Sequence, residues 1–125
     1  MARIMIVDDV ATIRQIVSSV LKDVGYKVIE AASAEEALAL AEVKRSHLVV
    51  TDVNMPGKSG LDLITALRAI KTYDKTPIVI LAKDANDENI QKAQALGAVG
   101  WIAKPFTPES LLATINQILV DHYVR

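Results

Sequence analysis

Three acidic residues and one lysine carry the chemistry this sequence can do. Asp8-Asp9 follows the apolar run Arg3-Ile4-Met5-Ile6-Val7, Asp52 follows Leu48-Val49-Val50-Thr51, and Lys104 follows the run from Val99 to Ala103. Taken singly, each has an ordinary explanation. Asp8 and Asp9 can serve as turn and N-cap residues, Asp52 as a turn residue and Lys104 as a solvated charge. Gathered in one place they become costly, because three carboxylates repel each other and raise their own pKa values unless a cation neutralises them. A donor set of hard oxygens without His or Cys suits Mg²⁺ rather than a transition metal. Mg²⁺ held by carboxylates keeps waters and takes phosphate oxygens. Asp52 is then a candidate nucleophile toward a phosphoryl group, forming an acyl phosphate. Lys104 would supply a positive point charge to spread the charge of that group.

The elements needed to bring these residues together can be read from hydrophobic period. Short apolar runs at Arg3 to Val7, Lys27 to Ala31, Leu48 to Thr51, Pro77 to Ala82 and Val99 to Ala103 predict five strands. Between them lie helical patterns. Ile13, Ile16, Val17, Val20, Leu21 and Val24 form one face, stopped by Gly25. A capping box of Ser33 and Glu36 starts a helix through Ala37, Leu38 and Ala41. Leu63, Ile64, Leu67 and Ile70 mark the third helix, after a loop over residues 54–60. Ile90, Ala93 and Leu96 mark the fourth, ended by Gly97. Thr107-Pro108 reads as N-cap and first helical residue of the last, which turns Leu111, Leu112, Ile115, Ile118 and Leu119 inward. Strands alternating with helices, and strands with little internal alternation, predict a doubly wound α/β domain with a parallel sheet covered on both faces. Such sheets bind ligands at the carboxyl ends of their strands. Asp8, Asp9, Asp52 and Lys104 all fall there.

Composition narrows the function classes. The chain has 125 residues, 51% of them hydrophobic and 23% charged, with 14 Lys+Arg against 15 Asp+Glu. This predicts a single globular domain over residues 1–125. A net charge of −1 provides no basic field for a nucleic acid backbone. Apolar runs such as Ile78 to Ala82 fall far short of the roughly 18 residues that span a bilayer. No secretory signal is expected, so the cytoplasm is the expected location. The absence of cysteine removes disulfides, thiol nucleophiles and Cys-based metal sites.

With these segments in view, the chain resembles a response-regulator receiver domain, most closely of the stand-alone chemotaxis (CheY-like) type. The matching segments are Ile6-Val7-Asp8-Asp9, Thr51-Asp52-Val53-Asn54-Met55-Pro56, Gly60-Leu61, Pro77-Ile78-Val79, Gly97-Ala98 and Lys104-Pro105-Phe106. The resemblance covers essentially the whole chain. It implies a flavodoxin-like strand order 2-1-3-4-5, and it implies Asp52 as acceptor of phosphoryl from a histidine kinase or a small phosphodonor. It further implies Mg²⁺ bound by Asp9 directly, Asp8 partly through water, Asp52, and the backbone carbonyl of Asn54. Lys104 looks like the phosphate-contacting lysine, before a peptide bond that is cis in the family. The implied output is a protein contact made by helix 4, strand 5 and helix 5, with Gln91, Gln94 and Trp101 on that face. A flagellar motor switch is one such partner, and a phosphatase that clears the phosphoryl group is another.

Two positions depart from the family pattern. Strand 4 should end in Ser or Thr, and Ala82 stands there instead. Trp101 occupies a switch position where Tyr or Phe is commoner. Lys83 is a second cation at the mouth of the site or a solvated surface lysine. Asp84 and Asn54 sit where the family tunes the lifetime of the phosphorylated state. His47 and His122, the two histidines, lie away from the strand ends and read as structural or exposed. Alternatives to the chemotaxis switch are a phosphorelay shuttle or phosphate sink, a binding-only receiver favoured by Ala82, and a small Mg²⁺-dependent phosphatase-like enzyme. The enzyme would want a second Asp two residues after Asp52, where Asn54 stands.

Overall fold

The computed structural model describes residues 2–123. Five strands, β1 (Arg3–Val7), β2 (Lys27–Ala31), β3 (Leu48–Asp52), β4 (Ile78–Ala82) and β5 (Gly100–Ala103), alternate with five helices. The helices are α1 (Ala11–Asp23), α2 (Ala34–Val43), α3 (Gly60–Arg68), α4 (Glu88–Ala95) and α5 (Pro108–Tyr123). All strand pairs are parallel, in the order β2-β1-β3-β4-β5. The chain reverses direction of travel across the sheet between β1 and β3. That is where a doubly wound sheet opens a crevice at its carboxyl edge.

Alternate strand residues feed two cores. Ile4, Ile6, Leu48, Val50, Val79 and Leu81 face α1 and α5, packing on Val17, Leu21, Leu111 and Ile115. Met5, Val7, Val49, Ile78 and Ile80 face α2, α3 and α4, packing on Ala37, Leu63, Ile64, Leu67 and Ala93. Both faces of β1, β3 and β4 are buried, which explains why those strands read as unbroken apolar runs.

Helix boundaries follow local chemistry. After α1 and α4, Gly25 and Gly97 both take φ +99°. Gly25 N–H bonds to Lys22 O and Tyr26 N–H to Leu21 O, and Gly97 and Ala98 repeat the pattern on Gln94 and Ala93. Only glycine enters this left-handed turn without a Cβ penalty. Thr107 caps α5 as expected, accepting from Ser110 N–H while Ser110 Oγ accepts from Thr107 N–H.

The structure corrects several expectations. Ile16 and Val24 are about half exposed, because α1 buries a face centred on Val17, Ser18 and Leu21. Ile16 projects about 100° to one side of Val17, and Val24 is already the C-cap. Ile70 lies beyond α3 and leads into a 3₁₀ turn (Lys71–Tyr73). Gly60, expected in a loop, is the first residue of α3. β4 and β5 each begin one residue later than expected. Ser33 accepts from Glu36 N–H as one half of a capping box, while the complete reciprocal box is made by Ser59 and Asp62.

Candidate functional site

The carboxyl ends of β1 and β3 are neighbours, with Val7 paired to Thr51. Asp8 and Asp9 therefore emerge beside Asp52. A carboxylate oxygen of each of the three residues lies within 4.8 Å of the others. Asp8 is fully buried and Asp52 nearly so, whereas Asp9 is exposed. Lys104 reaches the cluster from beyond β5, with Nζ 3.0 Å from Asp52 Oδ2 and 3.8 Å from Asp8 Oδ2. The Lys104-Pro105 peptide bond is cis. The convergence expected from the strand ends is thus present for all four residues.

The local bonding shows which oxygens are free. Asp8 Oδ1 accepts the Val10 N–H at 2.9 Å, but Asp8 Oδ2 is buried and accepts no hydrogen bond among the described residues, the Lys104 ammonium standing 3.8 Å away. Asp52 Oδ1 accepts the Val53 N–H. The N-cap of α1 is Val10, with no side-chain cap. Asp9 is therefore not spent on capping the helix, which leaves it a turn residue with a free choice of side chain. Burial pushes the Asp8 carboxyl above the ordinary carboxylate range, opposed by the Val10 N–H and Lys104 and reinforced by Asp52 and Asp9. A buried carboxylate oxygen that accepts no hydrogen bond and faces two further carboxylates is what a divalent cation would satisfy. The residues present fit such an ion.

The loop after Asp52 is pinned by Val53 and Met55, which turn into the core, while Asn54 between them is exposed. Asn54 lines a polar cavity of about 340 Å³ with Lys83, Asn86, Asp87, Glu88 and Asn89. Lys83 is exposed and its N–H donates to Asp87 Oδ2, so it is a surface lysine at the rim. Asp84 is also exposed and accepts from Asn86 N–H. Ala82 is buried at the end of β4, and its carbonyl accepts the Lys104 N–H. The nearest hydroxyl along the chain to Asp52 is Thr51 Oγ1, and it donates to the Asp52 carbonyl. Trp101 pairs with Ile80 and packs on the same core face as Ala82. It sits two residues, or about 7 Å, back from the strand end. It also lines a groove of about 630 Å³ with Gln94, Gly100, Thr114, Gln117 and Asp121. Gln91 is exposed nearby on α4.

Both histidines lie away from the strand-end cluster. His47, at the opposite edge of the sheet, accepts the Arg3 N–H and packs edge-on against Tyr123. His122 bonds through Nδ1 to Ile118 O within α5. Gly60 entered the sequence reading only as part of the matching segment Gly60-Leu61, and Arg14 escaped it. Gly60 meets the Asp52 carbonyl so closely that a Cβ would lie 2.2 Å from it. Arg14 Nη1 donates to Asp8 O at 2.6 Å, while its Nε donates to Glu30 Oε1 at 3.2 Å. Nothing in the spacing of Arg14 and Glu30 announces that contact, since it is made across α1, β1 and β2.

Known proteins carry the same frame. Residues 4–116 match the response regulator receiver domain family. The chemotaxis protein CheY of Pseudomonas aeruginosa is 35% identical over 117 residues, covering 93% of this chain and 94% of that protein. The solved structure of CheY4 from Vibrio cholerae superposes with a TM-score of 0.91 at 44% identity, covering 95% of this chain and 99% of that one. A response regulator of Thermotoga maritima, TrrA, solved in complex with Mg²⁺-BeF, superposes with a TM-score of 0.83 at 29% identity, over 95% of this chain and 100% of that one. No helix among the described residues is long and apolar enough to cross a membrane. With the family match spanning nearly the whole chain and the five-stranded order observed, this chain belongs to the response regulator receiver domain family, as a CheY-like member of a signalling class rather than a classical enzyme.

Proposed function

We propose that this chain is a phospho-accepting switch of two-component signalling, a single receiver domain over residues 1–125 that works in the cytoplasm and serves chemotaxis. Asp52 is the acceptor. One of its carboxylate oxygens attacks phosphorus of a histidine-kinase phosphohistidine or a small phosphodonor. The bond from phosphorus to the leaving group breaks, its electron pair departs with that group, and Asp52 becomes an acyl phosphate. Hydrolysis later returns the carboxylate and inorganic phosphate. Asp8, Asp9, Asp52 and the Asn54 carbonyl would hold Mg²⁺, which supplies charge stabilisation to the phosphoryl oxygens. Lys104, already 3.0 Å from Asp52, supplies a second positive charge on the acceptor.

The observation that carries this reading is the convergence of the Asp8, Asp9 and Asp52 carboxylates, with Asp8 Oδ2 buried and accepting no hydrogen bond among the described residues, and with Lys104 Nζ 3.0 Å from Asp52 and 3.8 Å from Asp8. The groove beside Trp101, between α4 and α5, is the surface whose affinity the acyl phosphate changes. Its partners are a motor-switch type target and the phosphatase that resets the switch. Neither nucleic acid nor membrane insertion has a part in it. The test uses Trp101, the one tryptophan in the sequence. Beryllofluoride with Mg²⁺ should change its fluorescence in the native protein, and Asp52→Asn should remove the response. A response that persists in Asp52→Asn would place the acceptor elsewhere.

A further inference from the structure

The turn that presents the acid pair is fastened from outside the site. Asp8 N–H bonds to Ala31 O at the end of β2, and Asp8 Oδ1 takes the Val10 N–H. The helix that follows starts on Val10 without a side-chain cap, and Asp9 is exposed. The usual means of holding a strand-to-helix turn, an N-cap carboxylate or hydroxyl, is not used here. In its place the Arg14 guanidinium reaches back over the first turn of α1 and donates to Asp8 O at 2.6 Å. Glu30 on β2 holds the other side of that guanidinium through Nε at 3.2 Å. Arg14 is mostly buried and Glu30 about one-third exposed on the side chain. Arg14 thus ties α1, the end of β1 and β2 together at the residue whose carboxylate enters the cluster.

We infer that Arg14, oriented by Glu30, is a positioning residue for the Asp8-Asp9 pair and sets the cation affinity of the site without touching the cation. This rests on the reading of the cluster as a Mg²⁺ site. Glu30 balances the guanidinium charge, so the effect is one of geometry. A released Asp8 carbonyl lets the 8–10 turn relax. The two acids, which repel each other and Asp52, then spread apart, and a cation must spend binding energy to regather them. Arg and Lys are not equivalent here. A lysine carries three donors on one nitrogen, so it lacks the planar fork that sets Nη1 on Asp8 O and Nε on Glu30 at fixed separation.

The test is Mg²⁺ titration of the native chain and of Arg14→Met, Arg14→Lys and Glu30→Ala, followed by calorimetry, with thermal unfolding recorded in the absence of metal. Arg14→Met should weaken Mg²⁺ binding at least fivefold, Glu30→Ala should weaken it about threefold, and Arg14→Lys should recover part of the loss. A residue that merely stabilises the fold would lower the metal-free unfolding temperature and leave the affinity of the folded protein alone. Mg²⁺ affinity within twofold of native in folded Arg14→Met overturns the inference. If Arg14→Met does not fold, native affinity in Glu30→Ala and Arg14→Lys overturns it equally. Failure of the native chain to bind Mg²⁺ overturns the reading of the site itself, and the inference with it.

Discussion

Asp9 is the exposed member of the acid cluster, and its carboxylate does not cap α1, whose N-cap is Val10. Its removal therefore separates metal binding from folding. Asp9→Ala should lower Mg²⁺ affinity at least tenfold, about 1.4 kcal/mol for one ionic ligand. The same variant should be slightly more stable than the native chain without metal, because one of three mutually repelling charges is gone. An unchanged titration would remove Asp9 from the ligand set. Ala82 poses the opposite question, what a missing group costs. A hydroxyl at the end of β4 would give the phosphoryl group one more charge-assisted hydrogen bond, worth roughly 1.5–3 kcal/mol. Ala82 shares its core face with Trp101, so that bond would also couple the acceptor to the groove. Ala82→Thr should lower the beryllofluoride concentration needed for half the Trp101 response by roughly tenfold and enlarge the response. Identical curves for the two proteins would show that the switch runs through other contacts.

At the scale of elements, the loop from Asp52 to α3 is where backbone geometry matters most. Gly60 N–H bonds to Val53 O, and a Cβ on Gly60 would meet Asp52 O at 2.2 Å and Val53 Cα at 2.9 Å. Alanine is the better helix former by about 1 kcal/mol, yet here the clash is with backbone that cannot rotate away. Overpacking of this kind costs roughly 1–3 kcal/mol or more. Gly60→Ala should therefore be destabilised in urea unfolding, against its helix propensity, and equal or greater stability would contradict the geometry. The same region marks how far the sequence could be read. Strand ends were legible because β1, β3 and β4 are buried on both faces and stop abruptly at Asp8, Asp52 and Lys83. The helix stops were legible because Gly25 and Gly97 have a single mechanical use. The exposure of Ile16 was not, since an apolar stripe does not reveal how a helix is rotated over the sheet. Arg14 and Glu30 were not, because their contact depends on three elements meeting. Tyr73, fully buried with its hydroxyl bonded to Lys44 O and Ser46 N–H, is another such tertiary choice.

Across the whole molecule, the two edges of the sheet have opposite character. The carboxyl edge holds the acid cluster, while the amino edge holds His47 beside Arg3 and Arg45. Burial, followed by the charges of Arg45 and Arg3, lowers the His47 pKa from its ordinary 6.5. The unfolded chain then binds the proton more readily than the folded one, so stability declines as pH falls from about 6.5 toward the lowered value. His47→Gln should remove that part of the decline, seen as the difference between native and variant unfolding curves across this window. No difference between them would mean that His47 titrates alike in both states. Whether the acid cluster makes Asp52 a phosphoryl acceptor is decided by intact-mass measurement after incubation with acetyl phosphate and Mg²⁺. One phosphoryl group should be added per chain, lost in mild base, absent when metal is chelated and absent in Asp52→Asn. Label that survives base, or that persists in Asp52→Asn, would contradict that role.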